Sequence, residues 1–324
     1  MTEEEALISA HLLDGRGGGR GLSWEEVAAW TPDDGVLWVH LDRSDPHTRK
    51  WLEGDCGLPK WVADALLAEE TRPRVTEVGE AFLLILRGVN LNPGSDPEDM
   101  VSIRLWIERD RVISTRRRKV MAIADLRDAL NGGKGAKNSG DLLVGLSARL
   151  VDRMSPVVDG LDDAVDELEE EVIARESHAI RSKLARLRRE TIAMRRYIGP
   201  QRDVMSRLQS SQVSWLDQSH RVQLREIYDR VTRYVEDLDA ARERAAVTQD
   251  ELAGRLAEQM NRTMYTLSVV ATIFLPLGLI TGLLGINVGG IPGTDYPLAF
   301  GLVTAGLVTL AVVEVFYFRR RRIL

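Results

Sequence analysis

The 324-residue chain has one cysteine, Cys56. That excludes an intrachain disulfide framework and any zinc site built from clustered thiolates. Its five histidines (His11, His40, His47, His178 and His220) show no metal-ligand spacing with one another or with Cys56. His40 lies in an apolar run, where a histidine reads as part of a strand core or edge. Phosphate loops are missing too: Gly15-Arg16-Gly17-Gly18-Gly19-Arg20-Gly21 misses the dinucleotide fingerprint, and Gly132-Gly133-Lys134-Gly135 lacks the first glycine and the hydroxyl residue of a P-loop. No Ser/His/Asp arrangement is arguable, so nothing in the sequence points to an enzyme. An excess of positive charge is also absent. The formal charge is −6, and the first 262 residues hold 39 basic against 47 acidic side chains, which argues against nucleic-acid binding. The opening Met-Thr-Glu-Glu-Glu has neither a basic nor an apolar signal region and predicts no cleaved secretory signal.

Charge is missing altogether from Thr263 to Thr294. Within that stretch the apolar run of residues 264–284 would span roughly 31 Å as a helix, the hydrocarbon thickness of a bilayer. A second run covers residues 298–318, with Tyr296 and Phe300 at one end and Phe316, Tyr317 and Phe318 at the other, an aromatic-belt pattern. Arg319 to Arg322 follow it, Arg262 precedes the first run, and residues 285–297 contain no lysine or arginine. The positive-inside rule then predicts a transmembrane hairpin with both termini cytosolic.

Upstream, Leu224, Ile227, Val231, Val235, Leu238, Ala241, Ala245, Leu252, Leu256 and Met260 recur at helical spacing. Only Gly254 and Pro276 interrupt a helix running from Trp215 to Leu284, and a helix of that length usually packs against copies of itself. Residues 159–171 hold eight acids on a helix with the apolar stripe Leu161, Val165, Leu168 and Val172, and residues 175–207 are strongly basic. The acidic face reads as paired with its basic neighbour; a cation-concentrating surface near a pore is the alternative. The front of the chain reads as mixed α/β, with strands near 36–41, 81–89, 101–108 and 111–115, helices near 61–70 and 120–130, and a glycine-rich boundary at 131–140. Three segments follow: an α/β domain (1–140), a helical stalk (141–262) and the hairpin with its basic tail (263–324).

The first span carries an uncharged stripe of small or polar residues: Asn261, Met264, Ser268, Ala271, Thr272, Leu275, Gly278, Gly282 and Gly285. Such a stripe serves helix contacts or lines a pore, and an oligomeric pore satisfies both. Asn287, repeated around a symmetric assembly, would offer a ring of neutral oxygens to a hydrated cation, and Gly285 would let the backbone approach the axis. Without charge, cysteine or histidine, the stripe would pass ions inside much of their water shell. Glu314 is the only ionisable residue within the second run. It pairs with the nearby arginines or forms a proton-linked site.

The turn Gly285-Ile286-Asn287, placed after a long helix and before a second span with a basic tail, resembles the Gly-Met-Asn signature of the CorA superfamily of divalent-cation transporters. The continuation Val288-Gly289-Gly290-Ile291-Pro292-Gly293 is similar to the zinc-transporting ZntB branch. So are Glu70-Thr71-Arg72-Pro73-Arg74, Arg87-Gly88-Val89-Asn90 with Glu98-Asp99, Met100 to Trp106, and Ser114-Thr115-Arg116-Arg117-Arg118. The sequence departs from the pattern at Ile286, in place of methionine, and at Gly278, in place of a threonine. The resemblance implies a homopentamer in the cytoplasmic membrane whose five long helices form a cytosolic funnel and then line the pore. It places Gly285 and Asn287 in the outer selectivity ring, and Asn261, Met264, Ser268, Leu275 and Gly282 along the pore. It implies zinc uptake without ATP, coupled to a proton gradient, with no resident cofactor; Ni2+, Cd2+, Co2+ and Mg2+ are the further candidate ions. A CorA-like magnesium or cobalt channel is the first alternative, and a membrane-anchored coiled-coil scaffold is one of another class.

Overall fold

A computed structural model describes residues 6–69, 71–174, 178–286, 291, 293 and 296–320. The chain divides into two compact units, Met1–Gln249 and Asp250–Leu324.

The first unit is built on a seven-stranded mixed sheet: β1 (Leu7–Leu13), β2 (Gly19–Gly21), β3 (Leu37–Asp42), β4 (Arg74–Val78), β5 (Ala81–Gly88), β6 (Val101–Ile107) and β7 (Arg111–Arg116). The order is β2-β1-β3-β7-β6-β5-β4. Only β3 and β7 pair in parallel, with Leu37 opposite Arg111 and Asp42 opposite Arg116. The apolar runs of β3 and β5 are buried on both faces, as central strands are when helices cover both sides. On one face α1 (Trp24–Ala29), α2 (Pro46–Lys50), a π-turn at Trp51–Asp55 and α3 (Lys60–Leu67) close a core of Val27, Leu37, Val39, Leu41, Leu52, Val62, Leu66, Trp106 and Ile113. On α1, Ser23 and Glu26 form a capping box. Next come α4 (Met121–Asn131) and α5 (Ser139–Asp152), which pack on each other. Leu150 of α5 lies so close to Gly88 of β5 that a Cβ there would meet its side chain at 2.8 Å.

The sheet also holds a buried polar row. Trp38 Nε1 donates to Ser114 Oγ at 2.9 Å, and His40 Nδ1 lies 2.8 Å from the same hydroxyl. His40 has no exposed surface. Burial, reinforced by the charges of Arg116 and Arg127, pulls its imidazole down to about 3, and burial lowers His11 as well. The folded protein therefore keeps His40 neutral where the unfolded chain takes a proton near 6.5. Stability is intact above that pH and falls below it, by about 1.4 kcal/mol per pH unit for one such group. Chemical denaturation between pH 6.5 and 5, above the carboxylate range, should show this slope, and His40→Gln should remove most of it. A midpoint flat across that interval would contradict the assignment.

Two helices follow, α6 (Ser155–Ala174) and α7 (His178–Ser210), packed on each other, and α7 also docks on β4 and β5. The stripe Leu161, Val165, Leu168 and Val172 is buried, as its spacing requires. Of the basic neighbours, Lys183 reaches Glu171 at 2.9 Å. The main partner of the acidic face comes from elsewhere: Arg244 binds Asp162 at 3.0 Å, Glu169 at 2.7 Å, and Asp166.

The long helix α8 runs unbroken from Gln218 to Leu284, 67 residues, roughly 100 Å at 1.5 Å per residue. A second apolar helix, α9 (Ala299–Arg320), completes the described elements. Both are long and apolar enough to cross a membrane.

Candidate ion pathway

Helical periodicity divides the apolar part of α8 into two faces. Val269, Ile273, Pro276, Leu277 and Ile280 are the covered positions. On α9 the covered stripe is Ala299, Val303, Leu307, Leu310, Ala311, Glu314 and Phe318. These two helices are the described elements of residues 250–324. The other face of α8 carries Asn261, Met264, Ser268, Ala271, Thr272, Leu275, Gly278 and Gly282, all exposed, with Met264 at 60% and Leu275 at 70%. At 100° per residue the two faces are roughly 150° apart. A Cβ at Gly278 or Gly282 would meet no atom within 4 Å. Packing within one chain therefore does not require glycine at either position.

The hydroxyls on this helix are already committed as donors. Ser268 Oγ donates to the Met264 carbonyl at 2.9 Å, and Thr272 Oγ1 to the Ser268 carbonyl at 2.8 Å. Their remaining lone pairs can only accept, which suits the outward-pointing hydrogens of a hydrated cation. Pro276 lies inside the helix and has no N–H, so the Thr272 carbonyl loses its usual intrahelical donor. That places a free backbone acceptor beside an acceptor-only hydroxyl. Both signals, a proline four residues after a threonine and hydroxyls at i, i+4, are legible in the sequence, and the stripe reading used neither.

Gly285 ends α8, its N–H reaching the Thr281 carbonyl at 2.9 Å. Ile286 follows, 47% exposed. Asn287, together with Val288, Gly289, Gly290, Pro292 and Asp295 of the turn and Arg321 and Arg322 of the tail, lies outside the described residues. Glu314 sits on the shielded stripe of α9 rather than its open face, and among the described residues its Oε2 is buried without a hydrogen-bond partner.

Elsewhere, a cleft of about 630 Å³ beside α1 and α2 is walled by Trp24, Trp30 and Trp51, with Cys56 among its lining residues. The Cys56 thiol is buried and donates to the Leu52 carbonyl, and burial pushes its pKa up, the opposite of nucleophile activation. Among the described residues no three His, Cys, Asp or Glu side chains are placed to hold a metal ion.

A sheet-based α/β domain and two membrane-length helices, the first of them the far end of one very long helix, mark a two-span membrane protein with a large domain outside the spans. The chain belongs to the CorA family: the profile described as "CorA-like Mg2+ transporter protein" matches residues 33–320. It is thus a divalent-cation transporter and not an enzyme. It is 42% identical to the divalent cation transporter CmaX of Pseudomonas aeruginosa over 99% of this chain and 97% of the relative. It is 37% identical to the zinc transport protein ZntB of Pectobacterium atrosepticum over 99% and 97%. The solved structure of full-length CmaX superposes with a TM-score of 0.86 at 41% identity, covering 99% of each chain. The CorA magnesium transporter of Methanocaldococcus jannaschii, 21% identical, shares the fold with a TM-score of 0.81 over 97% of this chain and 98% of that one.

Proposed function

We propose that this protein is a zinc transporter of the cytoplasmic membrane that passes hydrated divalent cations through a homopentameric pore. The observation that carries the reading is the open face of α8: uncharged, exposed, rich in glycine and hydroxyls, and with glycines at 278 and 282 that no contact within the chain explains. A membrane helix with such a face gains from close approach to copies of itself and offers oxygen acceptors to a lumen. In this reading Asn261, Met264, Ser268, Ala271, Thr272, Leu275, Gly278 and Gly282 line the path. Gly285, Ile286 and Asn287 form its outer turn. The α/β domain and the stalk lie in the cytosol with both termini, in keeping with Arg262 and Arg319 to Arg322 flanking the spans.

Similarity to both CmaX and ZntB supports divalent cations, and ZntB favours zinc. Oxygen acceptors that touch only the water shell discriminate weakly among hydrated ions of one charge, so Ni2+, Cd2+ and Co2+ should compete with zinc. Competition for zinc entry into liposomes tests this, and near-absolute zinc selectivity would overturn the hydrated-ion mechanism. Five copies of the 36.2 kDa chain should give a particle of about 181 kDa in nanodiscs after subtraction of lipid and scaffold. A dimer would favour the coiled-coil scaffold instead. Proton coupling is the finer part of the proposal, and Glu314, a carboxyl group shielded inside an apolar helix, is its candidate in the membrane.

A further inference from the structure

The four upstream segments that resemble the ZntB branch meet at one place, the C-terminal end of α3, and each brings a residue to a row of arginines. Arg43 follows β3 and Arg117 follows β7, at the carboxyl ends of the parallel pair, where ligands of α/β sheets commonly sit. The ladder continues there, the Arg43 N–H donating to the Arg116 carbonyl at 2.9 Å. Next across the sheet come Arg104 of β6, opposite Thr115, and Arg87 of β5, opposite Ser102. Strand alternation puts Arg87 and Arg104 on the face that carries α3, and Arg117, which continues the register beside Arg43, falls on the same face.

Part of this row serves helix capping. Arg43 Nη1 donates to the Leu67 carbonyl at 3.0 Å, Arg87 Nη2 to the Thr71 carbonyl at 2.7 Å, and Arg104 to the carbonyls of Ala68 and Glu69. Capping does not balance the charge, because a helix end contributes only about half a negative charge. The acids that act on Arg43 are Asp42 and Glu69; Glu70 lies outside the described residues. Among the described residues Arg43, Arg104 and Arg117 make no ion pair, and arginine ion pairs fall elsewhere, as at Arg111–Glu108 and Arg153–Asp125. The guanidiniums press on one another instead. Burial first, then the charge of Arg117, lowers Arg43, and burial with Arg43 and Arg87 nearby does the same to Arg104. The Nε donors of Arg43 and Arg104 are buried without an acceptor, which is costly. In a chain of net charge −6 this is a local field opposite to the average. The row is also reachable, since Arg117 is exposed and Arg43 only half-buried.

We propose that this row is a binding site for a small phosphate-bearing anion, which Arg117 and Arg43 hold from the open side while Arg104, whose own bonds are structural, adds fixed charge from the buried side. A guanidinium fork matches a phosphate group with two parallel hydrogen bonds. Two forks on strands about 4.8 Å apart are close enough to clasp one such group. The site needs no ion to cross the membrane, so it stands or falls apart from the candidate pathway.

The test is calorimetric titration of the full-length protein in detergent with inorganic pyrophosphate, with EDTA present and no added metal. The wild type should show saturable binding, one anion per chain, that weakens as sodium chloride is raised. Arg117→Gln, a change at an exposed side chain, should weaken it at least about tenfold, and Arg117→Lys, which keeps the charge but loses the fork, should recover part of the loss. Pyrophosphate should also raise the melting temperature of the wild type and not that of Arg117→Gln. Equal binding in the wild type and Arg117→Gln would overturn the proposal. So would no saturable binding, the result expected if carboxylates of another copy already neutralise the row.

Discussion

Asn287→Ala is expected to lower zinc flux into liposomes by at least about tenfold while leaving assembly intact. The effect is multiplicative. In a symmetric ring each copy contributes one amide oxygen, so a single substitution removes every member at once. A neutral hydrogen bond contributes about 1 kcal/mol, and 1.4 kcal/mol is already a factor of ten. Losing several contacts to the water shell of one ion exceeds that easily. Alanine introduces no bulk and no charge, so the turn keeps its length. Gly285→Ala is the useful companion: its Cβ would lie 3.1 Å from the Thr281 carbonyl, a small crowding at the helix end that should weaken flux less. Wild-type flux in Asn287→Ala, measured on assemblies of wild-type mass, would remove the outer ring from the mechanism.

Arg104→Ala should be the most destabilising single change in the α/β domain, by about 3 kcal/mol or more. Arg104 has no exposed surface. Its Nη2 donates to the Ala68 carbonyl at 2.7 Å and the Glu69 carbonyl at 3.3 Å, and its Nη1 to Ser102 Oγ at 3.1 Å. Those carbonyls follow the last turn of α3, so the guanidinium closes that helix end from the neighbouring strand. Burial, with Arg43 and Arg87 nearby, pulls it down to about 10, so it stays charged at pH 7. Alanine would leave a cavity and two carbonyls without their donor, whereas Arg104→Met keeps most of the volume and should cost less. Denaturant melts of the detergent-solubilised protein check the order Ala worse than Met. Equal stability of Arg104→Ala and wild type would contradict it. Arg104 lies within the Met100–Trp106 segment that resembles the ZntB branch, and its contacts here are structural.

Strands with strong apolar patterns were legible in the sequence. The expected strands near 36–41, 81–89, 101–108 and 111–115 correspond to β3, β5, β6 and β7 with ends shifted by a residue or so. β1, β2 (Gly19–Gly21, too short to show an alternation) and β4 were missed for different reasons. Leu7–Leu13 carries His11 and Ser9 on a face that turns out to be buried, which blurs its alternation. Arg74–Val78 is a short edge strand with mostly exposed polar side chains. The long helix was legible because its period persists for more than sixty residues, and Pro276 did not end it. Long-range polar pairings were not legible. Arg244 finds acids some 75 to 82 positions away, and His220 finds Asp141 79 positions away. Only Asp217, three residues before His220, could have been read locally, as a helix cap. His220 lacks metal-ligand spacing because its partners are carboxylates that hold the ring through hydrogen bonds. At the candidate pathway the spacing rule yielded the open stripe, but not that Glu314 sits on the shielded side of α9, because which face of a lone helix is covered depends on its neighbour.

The central claim, that this chain moves zinc through the membrane with the help of a proton gradient, is tested most directly in liposomes holding the pure protein with a zinc dye and a pH dye trapped inside. Zinc entry that strengthens when the outside is made acidic, accompanied by acidification of the lumen beyond that of protein-free vesicles, is the predicted result. Zinc entry indifferent to the gradient would contradict the coupling, and no zinc entry from correctly inserted protein would contradict the claim itself.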